Sequence, residues 1–579
     1  MSTATSLRWV VVPDAAEAEP SRDLVGGKAW SLWRMRSLGL RVPPAFVVTT
    51  DACKAYFADG RLPEGLDEEL VTGIRFLEAE LGRTFGGSER PLLVSVRSGA
   101  AVSMPGMMDT ILDLGCNDEV EAALEAESGD LHFAAEVHRR FAGFYGRLVL
   151  GCTEELDELT DTAAVRAVIA DDVGMSIPQD PWEQLRAAVA AVFQSSRSRR
   201  ALAYRKHYGI PDDLGTAVTI QAMVFGNLDD KSGTGVLFTR NPVDGTREPY
   251  GEYLPGGQGE DVVSGRVTPE PLSYLAARWP TVHDELLEAA ECLDREGRDA
   301  QDIEFTVQSG ELFLLQSRPA KRTARAAVRI AVELVDEGVI EPDEAVSRVT
   351  AEQVRTLLRP EIAPGAADSA EVLATGVPAS PGVASGLVVD TPEAAQASPG
   401  CILVRKSTSP EDVHGMIAAA AVITEQGGAT SHAAVVSRAL DTPCVVGCGA
   451  GTVTGLVGRT VTVDATTGRV YSGELATSAV AESEDDDLRR LTEWAESRTP
   501  VQVGTNVAVE PVFDADMIPA EELGEQLPDI PPGTKTVRGA LFCAPDGVRA
   551  ALDAGVEAIV TTHRLPVLLA AIAHQRRTS

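Results

Sequence analysis

Apolar and polar positions alternate with a period of two in some runs of this chain and with a helical period in others. Residues 92–99, LLVSVRSG, read as a strand that ends at glycine. Three further alternating runs, TAVTIQAMVFG, TGVLFTRNP and DIEFTVQSGELFLLQSRP, make 211–320 strand-rich, and the last predicts a hairpin turning at Ser309-Gly310. PWEQLRAAVAAVFQSSRSRRALAYRKHYG, 181–209, keeps a helical period and predicts one long helix. Helix is also expected over KRTARAAVRIAVELVDEGVI and EPDEAVSRVTAEQVRTLL, 321–358. RPEIAPGAADSA then reads as a linker, rich in Pro, Ala and Gly. A β-rich domain around one helix follows to about 475, then an acidic break, ESEDDD at 482–487. The rest alternates βα-like: VQVGTNVAV, DGVRAALDAG, VEAIVTT, LPVLLAAIAH. The expected organisation is α/β and α+β multidomain. It divides into 1–340 with a helical insertion at about 120–210, a helical linker 341–370, a compact domain 371–475 and a short βα segment 476–579.

At 579 residues the chain has room for about three to four domains. Its 44% apolar and 24% charged residues are ordinary for a globular protein. No stretch has the roughly 18–20 uninterrupted apolar residues of a membrane span. The opening MSTATSLRWVVVP shows no basic segment leading to a cleavage site, so a cytoplasmic location is expected. Charge narrows the picture more. With 51 basic and 86 acidic residues the net charge is −35, which repels nucleic acid and anionic membranes. A phosphate ligand must therefore be held by a few local cations and backbone amides. The eight cysteines form no C-x-x-C pair, so reduced thiols are expected and a zinc site is not.

Three constellations carry candidate chemistry. In VSVRSGAAVSMPGMMDT a strand delivers Arg97 to a loop with Gly99, Ser103, Pro105 and Gly106. Glycines let amides face an anion and Arg97 adds a cationic fork, although a plain surface loop also fits. Lys28 follows Gly26-Gly27 at a helix start, where it suits a phosphate as a point charge or stands solvated after a turn. The spacing is not that of a P-loop. In the 301–318 hairpin, alternation puts Asp302 and Glu304 on one strand face and pairs Gln316 with Arg318 on the partner strand. Carboxylates and an amide oxygen are hard ligands suited to Mg²⁺, and Arg318 suits a phosphoryl group.

The third constellation is TEQGGATSHAAVVSRALDTPCVVG. Gly427-Gly428 make a turn, Thr430 and Ser431 are N-cap residues, and His432 falls in the first helical turn. A neutral imidazole there is a nucleophile able to take a phosphoryl group. An isolated Ser-His would more simply cap or pack, but this one shares its chain with a phosphate cradle and a metal-type hairpin.

SVRSGAAVSMPGMMDTILDLGCND, IPQDPWEQLRAAVAAVF, MVFGNLDDKSGTGVLFTRNP, QGEDVVSGRVTP, QDIEFTVQSGELFLLQSR and GGATSHAAVVSRA together resemble the pyruvate, phosphate dikinase family, from about residue 20 to 475. The resemblance implies an ATP-grasp N-terminal region, a swivelling phosphohistidine domain and a C-terminal βα remnant. It implies ATP and inorganic phosphate as substrates, Mg²⁺ as cofactor and His432 as acceptor of ATP's β-phosphoryl group. By motif position Lys28, Arg97, Asp302, Glu304, Gln316 and Arg318 handle ATP, phosphate and metal, and Gln221, Met223 and Val224 line the adenine region. Ala222, Gln426 and Ala429 depart from the family pattern. About 100 residues follow 475, too few for the family's (β/α)₈ barrel of ~250 residues, so the expected final acceptor lies outside this chain or is a small molecule other than pyruvate. A partner chain or homodimer is compatible with this. The rival reading is a non-catalytic ATP-binding or regulatory paralogue, and the discriminating observation is AMP release.

Overall fold

A computed structural model of the chain describes residues 8–12, 19–100, 110–208, 210–211, 214–264, 267–358, 361–440, 442–478, 482–499, 501–505, 509–515 and 529–578. The architecture is mixed α/β in several bodies. Two five-stranded, wholly antiparallel sheets build the N-terminal part. The first runs Val10–Val11, Ala45–Val48, Ala217–Ala222, Val94–Gly99, Thr110–Leu114. The second runs Glu270–Pro271, Tyr250–Pro255, Gly233–Phe238, Gln301–Gln308, Glu311–Pro319.

The predicted hairpin turns at Ser309 and Gly310 with φ of 50° and 81°, the doubly left-handed pattern of a type I′ turn. Its register sets Asp302 opposite Arg318 and Glu304 opposite Gln316. Phe305 then faces Leu314, so Leu315 is an extra residue in its strand. This bulge is what keeps the four polar groups on one patch while the apolar positions beyond it stay in the core.

Helix prediction needed two corrections. The expected single helix over 181–209 is two, Pro181–Ser195 and Arg199–Tyr208. Ser195 and Ser196 donate their hydroxyls to Val192 and Phe193 carbonyls, at 2.9 and 2.7 Å, and this local bonding competes with continuation. The two helical stretches expected over 321–358 form three helices: Ala324–Asp336, Pro342–Arg348 and Ala351–Leu357. Gly338 at φ 67° ends the first, and Thr350 with Gln353 starts the last by a capping box.

These three helices do not hang between domains. Ala326, Ile330, Val346 and Val354 share one apolar core with Leu488, Leu491, Ile559 and Leu568 of the C-terminal segment. That segment is a four-stranded parallel sheet ordered Gln502–Gly504, Ala558–Val560, Thr536–Arg538, Val512–Asp514, covered by the helices Asp486–Glu496, Pro545–Asp553 and Arg564–Thr578. The acidic run expected as a break is a short 3-10 turn, Glu482–Glu484, and the start of the helix Asp486–Glu496. Asp485 accepts from the Leu488 amide at 3.0 Å and pairs with Arg325, because carboxylates satisfy the free amides of a first turn.

The body at 371–475 is an eight-stranded mixed sheet, with its central strands Val383–Val389, Ile402–Arg405, Ala421–Thr424 and Cys444–Val446 parallel. Its entry and exit strands, Glu361–Ile362 and Thr477–Ser478, pair antiparallel, and the Ala363 amide donates to Ala476 at 2.9 Å. No helix among the described residues is long and apolar enough to cross a membrane.

Candidate active site

A cavity of about 840 Å³ lies between the two antiparallel sheets and the 371–475 body. Lys28, Arg97, Gly99, Gln221, Met223, Val224, Asp302, Glu304, Gln316, Arg318 and His432 all line it. Ser103, Pro105 and Gly106 fall outside the described residues.

Gly26 places Lys28. It breaks the helix Arg22–Ser37 with φ 75° and ψ 164°, so Lys28 begins a fresh helical segment. A Cβ at Gly26 would stand 1.9 Å from the Gly99 carbonyl oxygen. Gly26→Ala therefore meets both a left-handed backbone and a hard clash, and is expected to destabilise the protein by about 3 kcal/mol. Thermal melting checks this, and an unchanged melting temperature would contradict the close approach.

Across the hairpin the charges interlock. Arg97 donates from Nη2 to Glu304 Oε2 at 3.0 Å and to Gln316 Oε1 at 3.4 Å. Arg318 donates from Nε to Asp302 Oδ2 at 2.8 Å. Burial pushes the Asp302 carboxyl up more than Arg318 pulls it down, leaving it above the usual range. Burial also raises Glu304, but Arg97, Arg318 and Lys28 together outweigh it and hold that carboxyl below its ordinary value. Asp302 Oδ1 is buried without a hydrogen-bond partner. An orphaned carboxylate oxygen beside a second carboxylate and an amide oxygen fits a Mg²⁺ bound by one or two carboxylates plus phosphate oxygens.

The histidine faces this patch from the other body. Ser431 occupies the N-cap position of the helix His432–Ala439 but makes no side-chain cap bond. His432 Nδ1 lies 3.0 Å from Thr408 Oγ1, and Nε2 is shielded from water with no hydrogen-bond partner. Burial pushes the imidazole pKa down to about 4, against a weaker upward pull from Asp412. A histidine depressed in this way is neutral in the folded state while the unfolded chain still takes up a proton near pH 6.5. Its contribution is thus complete above that value and is lost as pH falls towards 4. The His432 ring is accordingly expected to stay neutral from pH 7 to about 5 when its NMR signals are followed in a pH titration. A transition centred near 6.5 would show that the ring titrates as in water.

Glu252, from the second sheet, joins the two bodies. Its carboxylate accepts from the amides of Ala429 and Thr430, at 3.0 and 3.2 Å, and from the Thr430 hydroxyl. Arg438, 1% exposed, donates to the Ala429 carbonyl at 2.8 Å and lies over the Phe238 ring. Sequence reasoning singled out neither of these, nor Thr408. The available signals were slight: a lone acid in the strand YGEYLP, and the polar run KSTSPED.

Two modules thus meet over one cavity, one with a patch of cations, carboxylates and an amide, the other with a half-buried histidine whose Nε2 is shielded from water. Residues 22–72 and 62–290 match the family model for the pyruvate phosphate dikinase AMP/ATP-binding domain, and 397–468 match that for the PEP-utilising enzyme mobile domain. Pyruvate, phosphate dikinase of Rhizobium meliloti (strain 1021) is 42% identical over 554 residues, 86% of this chain and 61% of that protein. The Clostridium symbiosum enzyme of the same name is 40% identical, covering 89% of this chain and 64% of its own length. The chloroplastic pyruvate, phosphate dikinase 1 of Zea mays is 44% identical over 83% of this chain and 56% of its own. The chain belongs to the pyruvate, phosphate dikinase family. It spans less than two thirds of the length of these relatives.

Proposed function

We propose that the chain is an ATP-dependent dikinase-type phosphotransferase that phosphorylates His432 and releases AMP and diphosphate. The observation that carries this is His432 Nε2, buried, unpartnered and lining the same cavity as Lys28, Arg97 and Arg318. In the reacting tautomer the ring proton sits on Nδ1, 3.0 Å from Thr408 Oγ1, and the Nε2 lone pair is available. Nε2 bonds to the β-phosphorus as the bond from that phosphorus to the α,β-bridging oxygen breaks, and AMP leaves with the electron pair. The γ-phosphoryl group passes to inorganic phosphate. Lys28, Arg97 and Arg318 hold the phosphate charge, which grows on the leaving oxygens. Asp302, Glu304 and Gln316 would hold Mg²⁺, which neutralises phosphate charge when bound.

The two antiparallel sheets about the cavity support an ATP-grasp assignment, with Gln221, Met223 and Val224 towards the base. In the present arrangement the histidine faces the ATP side, so its onward transfer requires body 371–475 to swivel on its paired linkers. Phosphorus NMR of the chain with ATP, Mg²⁺ and phosphate tests the reading. AMP and diphosphate should appear together in at least one equivalent per protein. ATP binding without AMP would favour a non-catalytic paralogue.

A further inference from the structure

The loop that carries Thr408 to His432 is anchored on both sides. Before it, the Gln426 amide donates to the Lys406 carbonyl at 2.9 Å. After it, Ser409 and Asp412 form a capping box on the 3-10 turn Pro410–Asp412. Asp412 Oδ2 accepts from the Ser409 amide at 2.7 Å and from the Ser409 hydroxyl at 3.2 Å. Its Oδ1 lies 3.1 Å from Arg405 Nε, and Arg405 donates from Nη1 to the Asp390 carbonyl at 2.9 Å. Thr408, 6% exposed, sits between these anchors, and residues 407–410 line the cavity with His432.

A neutral amide closes a capping box as well as a carboxylate does, since glutamine serves that position alongside glutamate. Asp412 is 3% exposed, and a charge kept there carries a desolvation cost that the shape of the loop does not require. Burial dominates the His432 ring, yet the charge of Asp412 opposes it and favours the protonated ring. That direction suits the reaction. With the ring proton on Nδ1, attack by Nε2 turns the ring into an imidazolium for as long as it carries the phosphoryl group.

We infer that Asp412 is a positioning residue for His432: through Ser409 it fixes Thr408 against Nδ1, and its charge stabilises the ring while the ring is cationic. The inference rests on the dikinase reading above. The bond from Nε2 to phosphorus forms as the bond from phosphorus to the α,β-bridging oxygen breaks, and AMP takes that electron pair. Onward transfer breaks the bond from Nε2 to phosphorus, and its pair returns to Nε2. The proton stays on Nδ1 through both steps and Asp412 stays ionised, so the ring needs no proton acceptor.

The test compares Asp412→Glu with Asp412→Gln in the full chain, because both side chains complete a capping box and only the first carries charge. Single-turnover AMP release is expected to fall about tenfold or more in Asp412→Gln and to stay within about threefold of the parent in Asp412→Glu. Affinity for a non-hydrolysable ATP analogue should hold within about twofold in both. In an NMR titration the His432 ring of Asp412→Gln should take up its proton about one pH unit lower than that of the parent, while Asp412→Glu follows the parent. The remaining charges are common to all three proteins. Arg405 faces Asp412, and Glu411 and His414 beside it are exposed. Lys28, Arg97, Arg318, Asp302 and Glu304 line the cavity from the other body. Asp412→Asn serves as the neutral variant if Asp412→Gln melts early. A merely structural carboxylate would leave the Glu and Gln variants alike, so equal AMP release from the two overturns the inference. Analogue affinity falling in step with the rate also overturns it, because the loop would then be acting on the nucleotide. A parent that releases no AMP refutes the dikinase reading separately, and the ring titration still decides whether Asp412 acts on His432.

Discussion

Replacing His432 with alanine is expected to abolish acid-labile labelling of the protein by ATP carrying label in its β-phosphoryl group. AMP release should fall by about four orders of magnitude or more, because no other nucleophile with an adjacent base lines the cavity among the described residues. The neighbours support a clean loss. Thr408 and Ser431 are neutral hydroxyls, which are poor phosphoryl acceptors without an adjacent base. Loss of the ring leaves the Thr408 hydroxyl unpaired, a cost of about 1 kcal/mol. Alanine also suits a first helical turn, so the variant should fold, and its melting curve verifies that. The label on the parent should be lost in acid and kept in base, as a phosphorus–nitrogen bond requires. Equal acid-labile label on parent and variant would remove His432 from the mechanism.

The second large effect is expected from Arg97→Ala. Its guanidinium contributes cationic charge to the cavity and joins Glu304 to Gln316 across the hairpin through one nitrogen. Alanine removes the charge and leaves Glu304 with Arg318 at 3.9 Å as its nearest ion-pair partner. The carboxyl loses the largest influence opposing its burial and moves up, which weakens it as a metal ligand. Both changes act on the same step, and single-turnover AMP release should drop about a thousandfold. Arg97→Lys restores charge but cannot reproduce a planar fork, so recovery of less than about tenfold is expected. A lysine variant with parental activity would show that only net charge matters at this position.

The part of the site legible in the sequence was the part written locally. The hairpin places four polar groups by alternation over eighteen residues, with a turn whose residue types announce themselves, and the structure keeps that register. Gly26-Gly27-Lys28 was legible for a similar reason, although the cause of the first glycine, the Gly99 carbonyl, is visible only in three dimensions. Glu252 was not legible. Its partners lie 177 and 178 residues away on another body, and a single acid in a short strand carries no periodic signal. The helix breaks at 196–198 and 349–350 were missed because apolar spacing continues through both, while serine hydroxyls and a capping threonine redirect the backbone. The acidic run at 482–487 misled in the opposite direction, since charge density reads as solvent exposure until the helix it caps is seen.

The pairing of Glu361–Ile362 with Thr477–Ser478 bears on how strongly the two bodies must attract one another. Both ends of the 371–475 body leave from one point, so it is tethered at a single short stem. On such a tether, docking is an intramolecular event, and the effective concentration of the histidine near the cavity is of millimolar order or higher. An interface of that kind needs little affinity of its own. A carboxylate accepting from three neutral donors and one arginine over a phenyl ring are sufficient, and so weak a grip releases quickly. A broad apolar seam at the same place would hold the histidine against the cavity and slow each turnover to the pace of its parting.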